Sequence, residues 1–232
     1  NPSTGQIDPS WDLQITNALR GGAVSVRALT YYDGNVYMGG AFTHLSGGGS
    51  SRVYARNAGR VSLSGRPDRS WNPEISGAVQ AVGVSEANSA FYAGGHFTTA
   101  HGNQRAWYAA KFSTQPGAAV DTDFDFVPSS ATAGKYQQTI ATAGNRVYIG
   151  GSEHNLFGYD TATNQRVSGA MTFNNGGDLQ ATTVSAKGVI YGSCHCSDAA
   201  YQDMYVWSMN GSWSRVDEIK WVGAWDAATG EH

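Results

Sequence analysis

The most reactive grouping in this sequence is Cys194-His195-Cys196, two thiols separated by one imidazole. Such donors suit zinc, but a four-ligand site needs partners from elsewhere in the chain. In an extended strand alternate side chains share a face, so the sulfurs lie together and His195 points away. All three therefore do not meet one ion, and neither a metal nor another cofactor is expected. A disulfide across two residues needs a bulged backbone; a local staple and a pair of buried thiols both stay open.

Four histidines, His44, His96, His154 and His195, each follow a glycine-pair site by a few residues, and His101 lies close in sequence. Imidazoles at one latitude could bind a metal or anion, or respond to pH near 6.5. Their offsets of four, one, three and two differ in strand parity, so they read as polar loop residues. Asp121-Thr122-Asp123-Phe124-Asp125 has the alternating carboxylates of a calcium loop. Phe126 and Thr132 stand where that loop needs Gly and Glu, which favours a structural reading.

No Gly-x-Ser-x-Gly elbow, His-Glu-x-x-His helix or Gly-Lys-Ser/Thr phosphate loop occurs. Gly47-Gly48-Gly49-Ser50-Ser51 lacks a lysine and reads as a flexible loop. Five Glu and thirteen Asp leave room for paired carboxylates acting on a glycan, without singling out a pair. No catalytic residue is named. The stretch 197–219 breaks the pattern of the chain and inserts Tyr201, Tyr205, Trp207 and Trp213. With His195 these are the candidate ligand-binding residues, because flat aromatic faces stack on sugars or anchor a protein. Tyr205-Val206-Trp207 as a plain core strand is the competing reading.

The elements that must carry these residues come from a repeat. Val36-Tyr37-Met38-Gly39-Gly40-Ala41-Phe42-Thr43 returns as Phe91-Tyr92-Ala93-Gly94-Gly95-His96-Phe97-Thr98. It returns again as Val147-Tyr148-Ile149-Gly150-Gly151-Ser152, and as a relic in Val189-Ile190-Tyr191-Gly192-Ser193. The glycine sites are spaced 55, 56 and 42 residues apart. Asp8-Pro9-Ser10-Trp11 matches Asp68-Arg69-Ser70-Trp71, with a softer copy at Asp121-Thr122-Asp123-Phe124. Trp71-Asn72-Pro73 and Phe126-Val127-Pro128 close their units alike. A turn at 1–5 recurs as Asp160-Thr161-Ala162-Thr163-Asn164 and Asp226-Ala227-Ala228-Thr229-Gly230.

Within a unit, alternating runs such as Val24–Leu29 and Val79–Val82 read as strands, joined to the Tyr-x-Gly-Gly strand by turns like Asp33-Gly34-Asn35. Third strands follow at Val53-Tyr54-Ala55, Trp107–Ala110, Leu156–Tyr159 and Val222–Trp225, then a short fourth strand ending in Trp or Phe. No run has a capped 3.6-residue period, so helix is nearly absent. Four antiparallel strands per unit make an all-β propeller with about four blades in this chain, either a four-bladed ring closed by Gln6–Trp11 on the last unit or, the favoured reading, four blades of a larger ring. The approximate units are 12–73, 74–128, 129–173 and 174–232, with 1–11 as a closing strand. The closing Trp and Phe side chains fill the gaps between blades.

Gly-Gly-x-Phe-Thr followed by Trp-Asn-Pro resembles the delta-60 type β-propeller repeats of bacterial secreted and surface proteins and of actinobacteriophage minor tail proteins. The resemblance runs across nearly the whole chain, sharpest in the first two units. It implies an extracellular, cell-surface or virion propeller, and it brings no catalytic residues with it.

Composition agrees with a packed body. Of 232 residues 14% are charged and 12% aromatic, and 30 are Gly. The net charge of −3, with 11 Arg and 4 Lys scattered singly, gives no footprint for nucleic acid or an anionic membrane surface. No apolar stretch is long enough to cross a bilayer. The chain opens at Asn1 without a hydrophobic leader and reads as part of a longer polypeptide. The leading functional expectation is a non-enzymatic binding or scaffolding module that recognises a cell-envelope glycan or a protein. A glycan-active enzyme and an assembly module completed by another chain or chain segment are the alternatives.

Overall fold

The computed structural model describes residues 3–19, 21–126, 135–173, 177–202, 214–216 and 219–232. The first unit contains β1 (Gln14–Thr16), β2 (Ser25–Tyr32), β3 (Asn35–Ala41), β4 (His44–Gly47), β5 (Ser50–Tyr54) and β6 (Ala58–Ser62). The second contains β7 (Val79–Ser85), β8 (Ala90–Gly95), β9 (Thr99–Ala100), β10 (Gln104–Arg105) and β11 (Ala109–Ser113). The third is β12 (Gln137–Ala143), β13 (Arg146–Gly151), β14 (Asn155–Asp160) and β15 (Arg166–Phe173). The fourth is β16 (Leu179–Val184), β17 (Val189–Cys194), β18 (Asp198–Gln202), β19 (Ser214–Val216) and β20 (Val222–Asp226).

Each unit builds one antiparallel blade: β2-β3-β6, β7-β8-β11, β12-β13-β14-β15 and β16-β17-β20. Single bridges from Val61 to Pro67 and from Phe112 to Val120 begin a fourth strand in the first two. The innermost strands β2, β7, β12 and β16 pack side by side in that order. Among the described residues no comparable packing joins β16 back to β2, so the blades form an open arc. The all-β propeller expected from the repeat is the observed architecture. Its one described helical turn is the 3-10 segment Glu86–Asn88.

Three apolar cores lie between blades. Tyr37, Trp71, Val82, Phe91 and Phe97 fill the first gap. Tyr92, Phe124, Phe126, Val147 and Phe157 fill the second, and Tyr148, Leu179, Ile190 and Trp225 fill the third. Trp71 and the Phe124–Phe126 pair occupy the role expected of the closing aromatics; Val127 and Pro128 lie outside the described residues. The Asp-x-Ser-Trp copies share one local structure, since the Asp side chain accepts the Ser10 or Ser70 backbone N–H at 2.9 and 2.8 Å. Asp121 accepts from Asp123 N–H at 3.0 Å in the same way. The turns at Asp160 and Asp226 also match, each carboxylate accepting two backbone N–H groups.

Three expectations are corrected. The third strand of the first unit is β6, and Val53-Tyr54-Ala55 belongs largely to β5 in a hairpin outside the blade. The chain returns from that hairpin through Asn57, whose φ of 61° turns the backbone and whose side chain donates to Ile75 O at 2.7 Å. Gly47–Ser51 is the tight turn and strand start of this β4-β5 hairpin rather than a loose loop. In the fourth unit the glycine pair is matched one residue too early. All four inner strands carry a bulge that pairs Val26 with Gly40, Val79 with Gly95, Gln137 with Gly151 and Leu179 with Cys194. Ser193-Cys194 therefore replaces Gly-Gly, 43 residues beyond Gly150, and Tyr191 rather than Ile190 stands where Tyr37, Tyr92 and Tyr148 stand.

Candidate functional site: a polar strip at the bulged end of the arc

The two ends of the blades differ. One carries tight turns such as Asp33-Gly34 and Gly144-Asn145. The other carries the bulges, the outer hairpins β4-β5, β9-β10 and β18-β19, and most of the histidines. The extra residue of each bulge is Arg27, Gln80, Gln138 or Gln180. A bulge frees one residue from the ladder and re-aims its side chain, and here it does so on the unpaired edge of every innermost strand. Arg27 Nη1 donates to Gln80 Oε1 at 2.7 Å, bridging the first two blades. Gln138 Nε2 donates to Leu179 O at 2.8 Å, bridging the last two.

Aromatic and ionisable groups continue this row. The His96 ring lies 4.4 Å from the Tyr136 ring. Burial, then the nearby Arg27 guanidinium, hold His96 below its ordinary pKa, so it is neutral at pH 7. Burial and the Asp178 charge raise the Tyr136 hydroxyl. His154 Nε2 is 3.3 Å from Asp178 Oδ1. The Asp178 carbonyl accepts the backbone N–H of His195 at 3.0 Å. The result is a continuous strip across four blades, rich in amides and rings and low in net charge. Such groups both donate and accept hydrogen bonds to neutral hydroxyl-bearing ligands.

The structure sorts the sequence candidates. His96, His154 and His195 belong to the strip. His44 does not: it sits on the outer hairpin, its Nδ1 3.0 Å from Arg52 Nη2. His101 bonds to Ala118 O at 2.8 Å beside Phe112. Cys194 and Cys196 form a disulfide with both residues buried. By register Cys194 holds the second glycine position, and Cys196 stands where Phe42 and Phe97 stand, each carbonyl capping the returning strand. Asp121 is 2.9 Å from Lys111 Nζ, which spans to the third blade at Thr161 O, so that carboxylate joins blades. Tyr201 lies in β18, whose backbone pairs with β15. Tyr205, Trp207 and Trp213 lie outside the described residues.

Arg27, Gln80, Gln138 and Gln180 are absent from the sequence candidates. Their signal is present, since each precedes Ala or Thr 12 to 14 residues before the first position of its glycine site. A polar residue inside an apolar strand run reads as ordinary alternation until the bulge is seen. An open groove of about 700 Å³ lies elsewhere and has Asp68 as its single described lining carboxylate. Among the described residues it offers no acid pair.

These features define a propeller-type all-β fold with a polar strip along its inner edge. No family model and no curated protein matches the chain. Among solved structures it is similar to U3-55K, with TM-score 0.55 and 11% identity over 95% of this chain and 65% of that one. It is likewise similar to the RRP9 WD40 repeats, with TM-score 0.54 and 11% identity over 95% of this chain and 67% of that one. The chain thus spans about two thirds of each. At this identity the likeness establishes the fold alone.

Proposed function

We propose that this chain is a ligand-binding β-propeller module of a bacterial surface or secreted protein or of a phage tail, and that its ligand is a cell-envelope glycan. The observation that carries the reading is the recurrence of one amide or guanidinium side chain at the same bulge in all four inner strands. Amides in a row, flanked by His96, Tyr136 and His195, suit the hydroxyls and flat faces of a chain of sugars. The low charge of the strip favours a neutral ligand over nucleic acid. A location outside the cytoplasm is supported by the Cys194–Cys196 disulfide, a bond that persists in oxidising compartments. The resemblance to delta-60 repeats points the same way.

The test is binding of solubilised cell-wall polysaccharide fragments by calorimetry, comparing the parent with Gln80→Ala/Gln138→Ala. Loss of two hydrogen-bonding amides should weaken binding by roughly tenfold or more, at about 1.4 kcal/mol per decade. Each substitution also removes one bond between blades, worth about 1 kcal/mol, so the melting temperature should fall slightly and binding is compared well below it. Equal affinity in the double variant, or no binding by the parent, would sink the glycan reading.

A further inference from the structure

We propose that the third blade binds a calcium ion through Gln137, Glu153 and Asn155, one carboxylate and two amide side chains buried against the second blade. None of the three belongs to the polar strip, and the proposal is independent of the glycan reading.

The repeat shows what ordinarily fills these positions. Glu153 follows Gly150-Gly151 by two residues, as Phe42 follows Gly39-Gly40 and Phe97 follows Gly94-Gly95. Phe42, Phe97 and Cys196 are buried there, and Glu153 is buried too, at 2% exposure. Gln137 pairs with Gly151 at the bulge where Val26, Val79 and Leu179 pair with Gly40, Gly95 and Cys194. Two apolar positions thus turn polar in one blade alone, and the two residues meet. Gln137 Nε2 donates to Glu153 Oε2 at 3.2 Å. Packing does not require this, since apolar side chains serve at both positions in the other blades. A carboxylate in place of an aromatic ring is costly to bury unless something binds it.

Three oxygens of this cluster accept no hydrogen bond: Gln137 Oε1, Glu153 Oε1 and Asn155 Oδ1. The amide orientations are fixed, because Gln137 Nε2 faces the carboxylate and Asn155 Nδ2 faces Ile149 O at 3.4 Å. Turning either amide would set oxygen against oxygen. Gln137 and Asn155 flank Gly151 on the two neighbouring strands. A Cβ on Gly94 would lie 3.2 Å from that of Gln137, and Asn155 alternates with Phe157 of the core between the second and third blades. Both amides therefore face the second blade, on either side of a residue that has no side chain. In the first blade Asn57 stands where Asn155 stands, one residue before the partner of the first glycine. Both ends of its amide are engaged, with Phe42 N–H and Ile75 O.

Buried acceptors without donors suit a cation. A carboxylate with amide oxygens is the kind of oxygen set that calcium takes, with waters completing its shell. Magnesium gives up its waters reluctantly and fits a buried set of this kind less well. Lys135 Nζ stands 3.8 Å from Glu153 Oε1, beyond hydrogen-bond reach, with 26% of its side chain exposed. Its position marks the way in from solvent, and its charge competes with the ion for the same oxygen. The sequence does not display the site, since one ionisable residue between amides is no metal motif.

The test is calorimetric titration of the chain with calcium chloride, together with the melting temperature in millimolar calcium or magnesium at equal ionic strength. We expect one ion per chain, with a Kd of about 10⁻⁴–10⁻³ M, as in extracellular calcium modules. The melting temperature should rise with calcium and not with magnesium. Glu153→Gln should weaken binding by about tenfold or more and remove the thermal shift. Lys135→Met, at a partly exposed position, should tighten binding, because the competing charge is gone. A merely structural role for Glu153 would alter neither calcium response. No calcium binding by the parent, equal affinity in Glu153→Gln, equal stabilisation by magnesium, or no gain in Lys135→Met would overturn the proposal. Should Glu153→Gln fail to fold, Gln137→Leu, which installs the side chain that Leu179 supplies in the fourth blade, gives the same readout.

Discussion

Trp71 shows how one side chain holds two blades together. It is fully buried, meets Tyr37 and Phe91 edge-on at 5.1 and 5.0 Å, and donates its indole N–H to Ser113 O of the second blade at 2.9 Å. Arg60 adds to the same joint by donating to the Tyr37 hydroxyl at 3.0 Å and pairing with Asp68. Replacing Trp71 with Ala removes the ring, leaves a cavity and frees the Ser113 carbonyl. We expect a loss of about 3–5 kcal/mol, read by urea denaturation. A loss below about 1 kcal/mol would mean that the blades are not joined there. The closing Trp was legible in the sequence because its marker repeats; its partner across the gap was not, because Ser113 belongs to another unit.

At the scale of elements, the paired glycines answer two different neighbours. A Cβ on Gly39 would strike Val79 and Val82 of the next blade at 2.4 and 2.7 Å. A Cβ on Gly95 would lie 2.2 Å from Ala78 O, in the bend that sets up the bulge of its own inner strand. Backbone cannot yield as a flexible side chain does, so Gly95→Ala should cost about 1–3 kcal/mol and lower the melting temperature. Wild-type stability in that variant would show that the bulge is not fixed by the close approach. The sequence exposed the glycines but mismatched the fourth unit by one residue, because Gly192-Ser193 looks more like Gly-Gly than Ser193-Cys194 does. Only the pairing of Leu179 with Cys194 decides the register. The first unit's third strand was displaced for a related reason: β5 has strand-like residues, and its place outside the blade depends on the turn at Asn57.

For the whole molecule, each unit carries an aspartate whose carboxyl is held below its ordinary value of 3.8. Burial raises Asp68 and Asp121, but hydrogen bonds from Ser70 and Arg60, and from Lys111 and Asn164, outweigh it. Asp160 and Asp226 are lowered first by the backbone N–H groups of Thr163 and Thr229. A carboxyl lowered in the folded state stabilises above its unfolded value, and that contribution is shed as pH falls below 3.8 through the lowered values. His96, His44 and His232 are lowered mainly by burial, so they too favour higher pH, with their contribution lost as pH falls below 6.5. The denaturation midpoint should therefore decline modestly below pH 6.5 and steeply below 3.8. A midpoint flat from pH 7 to 3 would contradict these assignments.

The sequence by itself determined the unit: its repeat, its turn chemistry, its glycine sites and the aromatics that close it. All of these act over a few residues or recur at a fixed spacing, so they can be read along the chain. Tertiary structure decided what depends on neighbours between units. The bulge places Arg27, Gln80, Gln138 and Gln180 in one row because inner strands of successive blades lie side by side. Tyr191 is exposed where Tyr37, Tyr92 and Tyr148 are buried between blades, and nothing in its local sequence encodes that difference. Exposure belongs to the arc as a whole, since packing joins residues that the chain keeps more than fifty positions apart.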